Sequence, residues 1–210
     1  MSTLSQMRSR IADDLDRSDL STQIDKAINR AIEYHEKERF WFNETSGTLT
    51  TVANQESYSS SDAAFIANIL DVDLVRITFA TTDKEELDRK DFNYIQELNN
   101  GNSTGRPTYW AWYQNKIYLS IIPNAAWTIT VFYQKKYSST QLSGDSDTND
   151  FTSYAEDLIE ARARAWLYAR VIKDVDQAQI AKTEEAEALA ALREKTRKII
   201  GTNYVVSSNF

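Results

Sequence analysis

Residues 105–136 read GRPTYWAWYQNKIYLSIIPNAAWTITVFYQKK, and this stretch decides the predicted fold class. Three runs within it, 108–113, 116–122 and 127–135, alternate apolar and polar side chains and are separated by short segments that contain Asn or Pro. A period of two with short connections is typical of half-buried antiparallel strands. The stretch therefore predicts a β-meander with one face toward a core and the other toward solvent.

Helical periodicity dominates both ends of the chain. Apolar residues recur at three- and four-residue spacing over residues 3–17, again from Leu20 to Phe42, and in two stripes between Leu158 and Ile199. Gly201 stands where a helix C-cap is expected. The predicted class is α+β, with N-terminal and C-terminal helices forming a bundle and an antiparallel β-sheet or meander inserted between them.

The region before the meander predicts further strands and one short helix. Residues 45–52 and 57–60 favour strands, and Asn54 between them tolerates the left-handed backbone of a hairpin turn, so the two are expected to pair. Residues 75–79 also alternate. Asp91 is in the position of an N-cap for a helix of two or three turns.

These changes of period divide the chain into five predicted segments. They are N-terminal helices of a helical part at 1–44, an antiparallel β-rich domain with one short helix at 45–137, an acidic linker at 138–150, a C-terminal helical hairpin of the helical part at 151–200, and an extended C-terminal tail at 201–210.

Composition limits the classes of function. The chain has 210 residues, of which 41% are hydrophobic, enough to bury a core. A formal net charge of -7 is poorly suited to gripping phosphate, because affinity for nucleic acid of any sequence needs clustered Lys and Arg. Such a protein can still surround DNA without adhering to it. Cysteine is absent, which excludes disulfides, a thiolate metal site and a cysteine nucleophile.

No targeting or membrane segment is predicted. The first ten residues lack the apolar core of a signal peptide, and no run approaches the roughly 20 apolar residues of a membrane span. The expected place of synthesis is therefore the cytoplasm.

The single histidine, His35, lies beside the apolar stripe of its helix. A catalytic base would need a nucleophile and an orienting group nearby, so His35 is interpreted as a packing residue. One histidine is also too few for a histidine-based zinc site.

One acidic loop has the spacing of a calcium site. Asp145, Asp147, Asn149 and Glu156 provide oxygens at the spacing of an EF-hand loop, but Asp150 stands where that loop needs glycine. The loop also follows a predicted strand and coil rather than a helix. It is interpreted as a solvated acidic linker, with calcium binding as the alternative.

Carboxylates for glycoside hydrolysis could come from Glu33, Glu36, Glu38 or Glu44. Their spacing does not fix two carboxyl groups across a cleft, so a solvated charged face is the preferred interpretation. Residues 99–105 lack the lysine of a P-loop. No catalytic residue, cofactor or metal ion is predicted.

Several motifs, in order, resemble the tailed-phage head-to-tail adaptor (connector) proteins. The N-terminal helices of that family are resembled by DRSDL at 16–20, AINRAI at 27–32 and ERFWFNE at 38–44, and its sheet by GRPTYW at 105–110, IYL at 117–119, IPN at 122–124 and VFY at 131–133. The acidic loop before FTSYAEDLI at 151–159 is similar as well. The resemblance covers roughly residues 10–200 and rests on the order of the motifs.

This resemblance implies a structural virion protein rather than an enzyme. Such adaptors form a ring, usually dodecameric, that docks on the portal after DNA packaging, extends the DNA channel and presents a surface to the tail. The implied partners are the portal protein, a tail or nozzle protein and other copies of the chain. DNA would pass without sequence-specific binding, no membrane would be involved, and the location would be the head-tail junction of a virion made in the host bacterial cytoplasm.

The tail at 203–210 has no later stretch to pair with. Tyr204, Val205, Val206 and Phe210 are predicted to contact the portal or a neighbouring subunit, by strand addition or aromatic anchoring. Two other classes stay open. One is a tail-associated peptidoglycan hydrolase, which would need two essential carboxylates. The other is a non-virion helical interaction module built on residues 152–200, although the chain holds no second copy of that pattern.

Overall fold

The computed structural model describes residues 1–201, and residues 202–210 lie outside the described part. Its internal contacts divide the chain into two units. The helical unit contains Met1–Asn43 and the described residues from Thr140 onward, whereas the sheet unit contains Glu44–Ser139. Each unit is described by itself below.

Six α-helices are present in the described residues. They are α1 Leu4–Asp14, α2 Ser21–His35, α3 Phe92–Asn99, α4 Asp150–Tyr154, α5 Glu156–Leu167 and α6 Val175–Ile200. A 3-10 turn covers Ala64–Asn68, and a π-helical turn, Tyr168–Ile172, follows α5. No helix among residues 1–201 has both the length and the apolarity needed to cross a bilayer.

Nine strands are present in the same part of the chain. They are β1 Glu44–Thr50, β2 Ser57–Tyr58, β3 Ile69–Ala80, β4 Asp83–Arg89, β5 Thr104–Gly105, β6 Tyr109–Tyr113, β7 Lys116–Ser120, β8 Ile122–Pro123 and β9 Thr128–Lys135. Seven of them form one curled sheet in the order β1-β9-β3-β4-β6-β7-β2, and β5 and β8 form a small parallel pair.

Local capping fixes helix ends, and the sequence predicts the caps at Asp91 and Gly201. The hydroxyl of Thr3 accepts the N–H of Gln6, whose side chain accepts the N–H of Thr3 at 3.0 Å, so α1 begins with a capping box. Asp91 caps α3 by accepting from the N–H of Asn93 at 2.8 Å. Gly201 ends α6 with φ of 73°, the left-handed conformation that favours glycine.

Helix α5 is the centre of the helical unit. It packs against α1, α2 and α6 and buries Ala161, Ala163 and Ala165, whose small side chains let neighbouring helices approach. Helix α6 meets it through a buried stripe that includes Ala178, Ala181, Glu185, Leu192 and Thr196. The spacing of three and four residues along this stripe is the helical period that the sequence shows.

The predicted class, a helical bundle with an inserted antiparallel meander, is wrong. The fold is a mixed α+β arrangement dominated by the curled seven-stranded sheet, with N-terminal helices before it and C-terminal helices after it. The helices differ too much for a regular bundle, since α4 has 5 residues and α6 has 26. Helical periodicity predicts which face a helix buries, but it does not predict how many helices of what length share that core.

The predicted meander is interrupted between β7 and β9. Strands β6 and β7 form a hairpin through Gln114 and Asn115, whose φ values of 48° and 57° fit a two-residue turn with both residues left-handed. Strand β9 then leaves this hairpin and lies between β1 and β3. The sheet is also mixed rather than antiparallel, because β4 pairs in parallel with β6 through Asp88 and Tyr109.

The predicted hairpin at Asn54 is wrong as well, although the turn itself forms. Asn54 has φ of 65°, yet β1 pairs with β9 while β2 pairs with β7. The N–H of Asn54 donates to the carbonyl of Pro123 at 2.8 Å, which directs this segment toward the β8 region rather than back along β1. Strand propensity therefore located both strands but did not identify their neighbours.

One side of the curled sheet encloses the core of the sheet unit. Trp110 is its largest side chain, 1% exposed, and its indole N–H donates to the carbonyl of Leu87 at 3.0 Å. The other buried members come from the strands of the seven-stranded sheet, including the short β2, and from the 3-10 turn: Leu49, Tyr58, Ile66, Ile69, Val72, Val75, Ile77, Leu87, Ile117, Leu119, Ile129, Val131 and Tyr133.

Candidate interaction surfaces

An aromatic cluster forms in the helical unit, between the segment that follows α2 and helix α4. Phe40 and Phe151 are fully buried with their rings 6.1 Å apart, and Phe42 stacks on Tyr154 at 5.6 Å. Trp41 meets Phe42 edge to face at 5.0 Å. The sequence signal for this cluster is the run Phe40-Trp41-Phe42, which is apolar on every side and has to be surrounded.

A shallow cleft lies beside this cluster, between the start of α5 and the second half of α6. Its walls include Ala155, Leu158, Ala188 and Leu192, and Lys195 stands at its rim. The ammonium group of Lys195 lies 4.7 Å from the ring centroid of Trp41, a distance at which a cation is attracted to the ring face. Chemically, the cleft can accept an apolar side chain next to an anion.

Two networks of ion pairs attach the N-terminal segment to the rest of the helical unit. Arg8 donates to both carboxylate oxygens of Asp25, at 2.6 and 2.9 Å. Arg10 pairs with Glu156 and Glu160, and the hydroxyl of Ser2 donates to Glu156 at 2.6 Å. These contacts join residues near the start of the chain to α2 and α5.

Glu160 is the most deeply buried acid of these networks, with 12% of its side chain exposed. Burial raises the pKa of Glu160 above its ordinary value, although the hydrogen bond from Arg10 opposes this shift. Arg10 is therefore the main group that favours the ionised form of this carboxylate.

The residues of the candidate calcium loop are all engaged elsewhere. Asp145 accepts from Arg8 at 2.8 Å, Asn149 caps α4, and Glu156 accepts from Arg10 and Ser2. Asp147 accepts from the backbone N–H groups of two loop residues, at 2.7 Å from Gly144 and 2.8 Å from Ser143, and these bonds lower the pKa of its carboxyl. Within residues 1–201 no three acidic or histidine side chains come together to hold a metal ion.

Calcium is therefore expected to leave the thermal unfolding midpoint unchanged. A site with a dissociation constant of about 10 µM, typical of calcium sensors, would stabilise the fold by about 2.7 kcal/mol at about 1 mM calcium. The measurement is a melting curve with and without about 1 mM calcium, with magnesium as the control at equal ionic strength. A calcium-specific rise in the midpoint that disappears in Asp147→Asn would contradict this assignment.

The candidate catalytic groups do not form a site either. The imidazole of His35 is buried and lies 3.1 Å from a carboxylate oxygen of Glu185. Glu33 is on α2, Glu38 pairs with Arg193 of α6, and Glu44 belongs to β1 of the other unit. Glu36, at the end of α2, is itself buried. No two of the four proposed carboxyl groups face each other across a described cleft.

The sheet unit carries an exposed surface of aromatic and basic side chains, which sequence reasoning missed. The ring of Phe92 stacks on Tyr113 at 4.0 Å, and Tyr94 meets Tyr109 at 6.0 Å. Lys90 lies over the ring of Tyr109 at 5.3 Å. Tyr94 and Tyr113 are each 42% exposed. The only sequence signal for this surface is the high aromatic content, because α3 and β6 are brought together by the parallel pairing of β4 with β6.

The four residues predicted to bind a partner cannot be located in the fold. Tyr204, Val205, Val206 and Phe210 lie outside the described residues. Their place in the chain is known, since Gly201 ends α6 and the tail follows it directly.

Comparison with known families identifies a family that matches nearly the whole chain. The family model described as SU10 adaptor protein matches residues 2–206, a range that includes every described helix and strand of both units. A search among curated proteins gave no match.

Proposed function

The chain belongs to the SU10 adaptor protein family of phage head-to-tail adaptors, and from this we propose that it docks as a ring on the portal after DNA packaging. In this role it extends the DNA channel and provides the attachment surface for the tail. The ring is expected to hold twelve copies. The protein then resides at the head-tail junction of the virion.

The observation that carries this proposal is the extent of the family match. It spans residues 2–206 and thus covers the helical unit, the sheet unit and part of the tail, rather than one shared segment. A structural role is also consistent with the fate of the candidate catalytic groups. His35 and Glu38 each serve in contacts that hold helices together.

The electrostatics agree with a channel protein. A net charge of -7 offers few anchors for phosphate, so DNA could move past many copies without being retained. Tyr204, Val205, Val206 and Phe210 are proposed as contacts to the portal or to a neighbouring subunit. A ring built in this way uses head-to-tail contacts that close by rotation.

The test is a mass measurement on the protein alone and after mixing with the portal ring of the same phage. We expect a portal complex whose mass has grown by a whole number of adaptor copies, read by native mass spectrometry or light scattering. A chain that stays monomeric and leaves the mass of the portal unchanged would overturn the proposal. That result would favour assays for peptidoglycan hydrolysis with Glu33, Glu36, Glu38 and Glu44 replaced.

A further inference from the structure

Strand β1 is an open edge of the seven-stranded sheet. It runs over seven residues, Glu44–Thr50, and pairs with β9 along its whole length without a shift of register. In the part of the chain that the structure describes, no other strand pairs with β1. The opposite edge is β2, which has only two residues. The sheet therefore has one long edge and one short edge.

The backbone groups that β1 leaves open can be identified. Thr51, just after β1, donates its N–H to the carbonyl of Trp127 at 2.8 Å. Bonded and non-bonded pairs alternate along an antiparallel ladder, so Ser46, Thr48 and Thr50 direct their backbone N–H and C=O groups away from β9. The other side of β9 shows the same alternation, because Lys136 donates to the carbonyl of Asn68 just before β3.

Within residues 1–201, this edge lacks the features that normally prevent pairing with another chain. Proteins protect long edges with lysine, proline, bulges or covering segments. β1 reads ETSGTLT, without lysine or proline, and its ladder with β9 has no bulge. The side chains of Ser46, Thr48 and Thr50 are exposed, small and uncharged. An added strand would therefore meet little steric or electrostatic resistance.

The chain contains one segment suited to this edge. Nine residues, TNYVVSSNF, follow Gly201, and within them Asn203–Ser207 has two valines and a tyrosine in succession. Valine and tyrosine favour strands, and five residues match the span from Ser46 to Thr50. The segment carries no charge, which suits an edge without charged residues beyond Glu44.

We propose that residues 203–207 of one copy add as a strand to the β1 edge of the neighbouring copy. The inference rests on the proposed ring, and it names the surface that receives the tail. A tail-to-edge contact joins two different surfaces, so each copy gives one strand and receives one. Such contacts can close into a ring in which every tail and every β1 edge is paired.

Cysteine cross-linking in the portal complex tests the proposal, since the chain has no native cysteine. Full-length Thr48→Cys is mixed with full-length chains that carry one cysteine at each position from 203 to 207, the complex is formed, and the thiols are oxidised. Directly opposed residues lie about 5.5 Å apart, within disulfide reach. We expect dimers that join two different variants, with yields alternating along the tail because strand side chains alternate. Ser60→Cys, exposed in a loop of the same unit, is the matched control.

The outcomes separate the two proposals. A portal complex in which Thr48→Cys cross-links no better than Ser60→Cys overturns the strand addition and leaves the ring standing. A double variant that carries Thr48→Cys and one tail cysteine in the same chain, and that cross-links only within that chain, also overturns it. Failure to form any portal complex overturns the proposed function and, with it, the contact between neighbours.

A second pair of variants tests the backbone hydrogen bonds themselves. Thr48→Pro removes an N–H that points away from β9 and so preserves the β1–β9 ladder, whereas Thr48→Ala keeps that N–H. In the complex, the amides of residues 204–206 are expected to be protected from hydrogen exchange with Thr48→Ala and to lose most of that protection with Thr48→Pro. Equal protection in both would show that the tail is held elsewhere.

Discussion

Trp110→Ala is expected to lower the free energy of unfolding of the sheet unit by about 3–5 kcal/mol. The indole is 1% exposed and is the largest side chain in the core of this unit. Its removal leaves a cavity among strands that come from distant parts of the sequence, and these strands cannot close it without shifting their ladders. The carbonyl of Leu87 would also lose its donor.

Two variants separate the contributions to this effect. Trp110→Phe keeps most of the volume and removes the hydrogen bond, so a cost of about 1–2 kcal/mol is expected. Trp112→Ala removes the same side chain two residues along the same strand, where the residue is only partly buried, and should cost clearly less than Trp110→Ala. Calorimetry of the full chain, with hydrogen exchange of β4 and β6, measures the change. Equal costs at Trp110 and Trp112 would contradict the described core.

Local features of the fold could be predicted from the sequence. The capping box of Thr3 and Gln6, the cap at Asp91 and the end of α6 at Gly201 depend on residues within a few positions of each other. The turn at Gln114 and Asn115 is equally local. In each case, the residue at the end of the element is of a type that can cap the unpaired backbone groups or adopt the backbone conformation needed there.

Partner choice between strands could not be predicted in the same way. The alternation in residues 128–135 shows that β9 is a strand and which of its faces is buried. It does not show which strand pairs with β9, because many neighbours would leave the same face buried. The structure pairs β9 with β1, about 80 residues earlier in the chain, rather than with β7. The parallel pairing of β4 with β6 is a further long-range choice that no local pattern records.

The candidate sites show the same limit. Asp145, Asp147 and Glu156 have the spacing of calcium ligands, but spacing alone does not reveal competing partners. Arg8 lies 137 residues before Asp145, and Arg10 lies 146 residues before Glu156. Once these cations are near, the oxygens that a calcium ion would need are already neutralised. His35 is similar, because its partner on α6 is 150 residues away.

Glu185→Ala is expected to destabilise the helical unit by about 2–3 kcal/mol at neutral pH. Glu185 of α6 is 8% exposed and lies 3.1 Å from His35 of α2 and 3.3 Å from Arg162 of α5. Without Glu185, the buried imidazole of His35 loses its hydrogen-bond acceptor, and the guanidinium of Arg162 loses its counter-charge. The cost stays below that of a fully buried pair because Arg162 is 32% exposed and also stacks on Tyr34 at 3.7 Å.

The pH dependence of this effect follows from the pKa of Glu185. Burial disfavours its ionisation, but the hydrogen bond from His35 and the charge of Arg162 outweigh burial, so the pKa lies below the ordinary 4.5. A lowered carboxyl pKa contributes stability that is present above the unfolded value and is lost as pH falls through the folded value. The free energy of unfolding of the wild type should therefore exceed that of Glu185→Gln by about 1 kcal/mol at pH 7, and this difference should shrink as pH falls below the ordinary 4.5.

Glu185→Gln is the informative control because its amide oxygen can still accept from His35. Urea unfolding of both chains at a series of pH values measures the difference, and a gap that stays constant down to about pH 3 would show that the charge of Glu185 contributes nothing.

The network of His35, Glu185 and Arg162 also affects the position of a helix. Since it joins α2, α5 and α6 at one point, it fixes the position of α6 along α5, and α6 is the helix from which the proposed strand-forming tail departs. A variant that weakens this network should therefore lower the yield of the cross-links between the tail and Thr48→Cys.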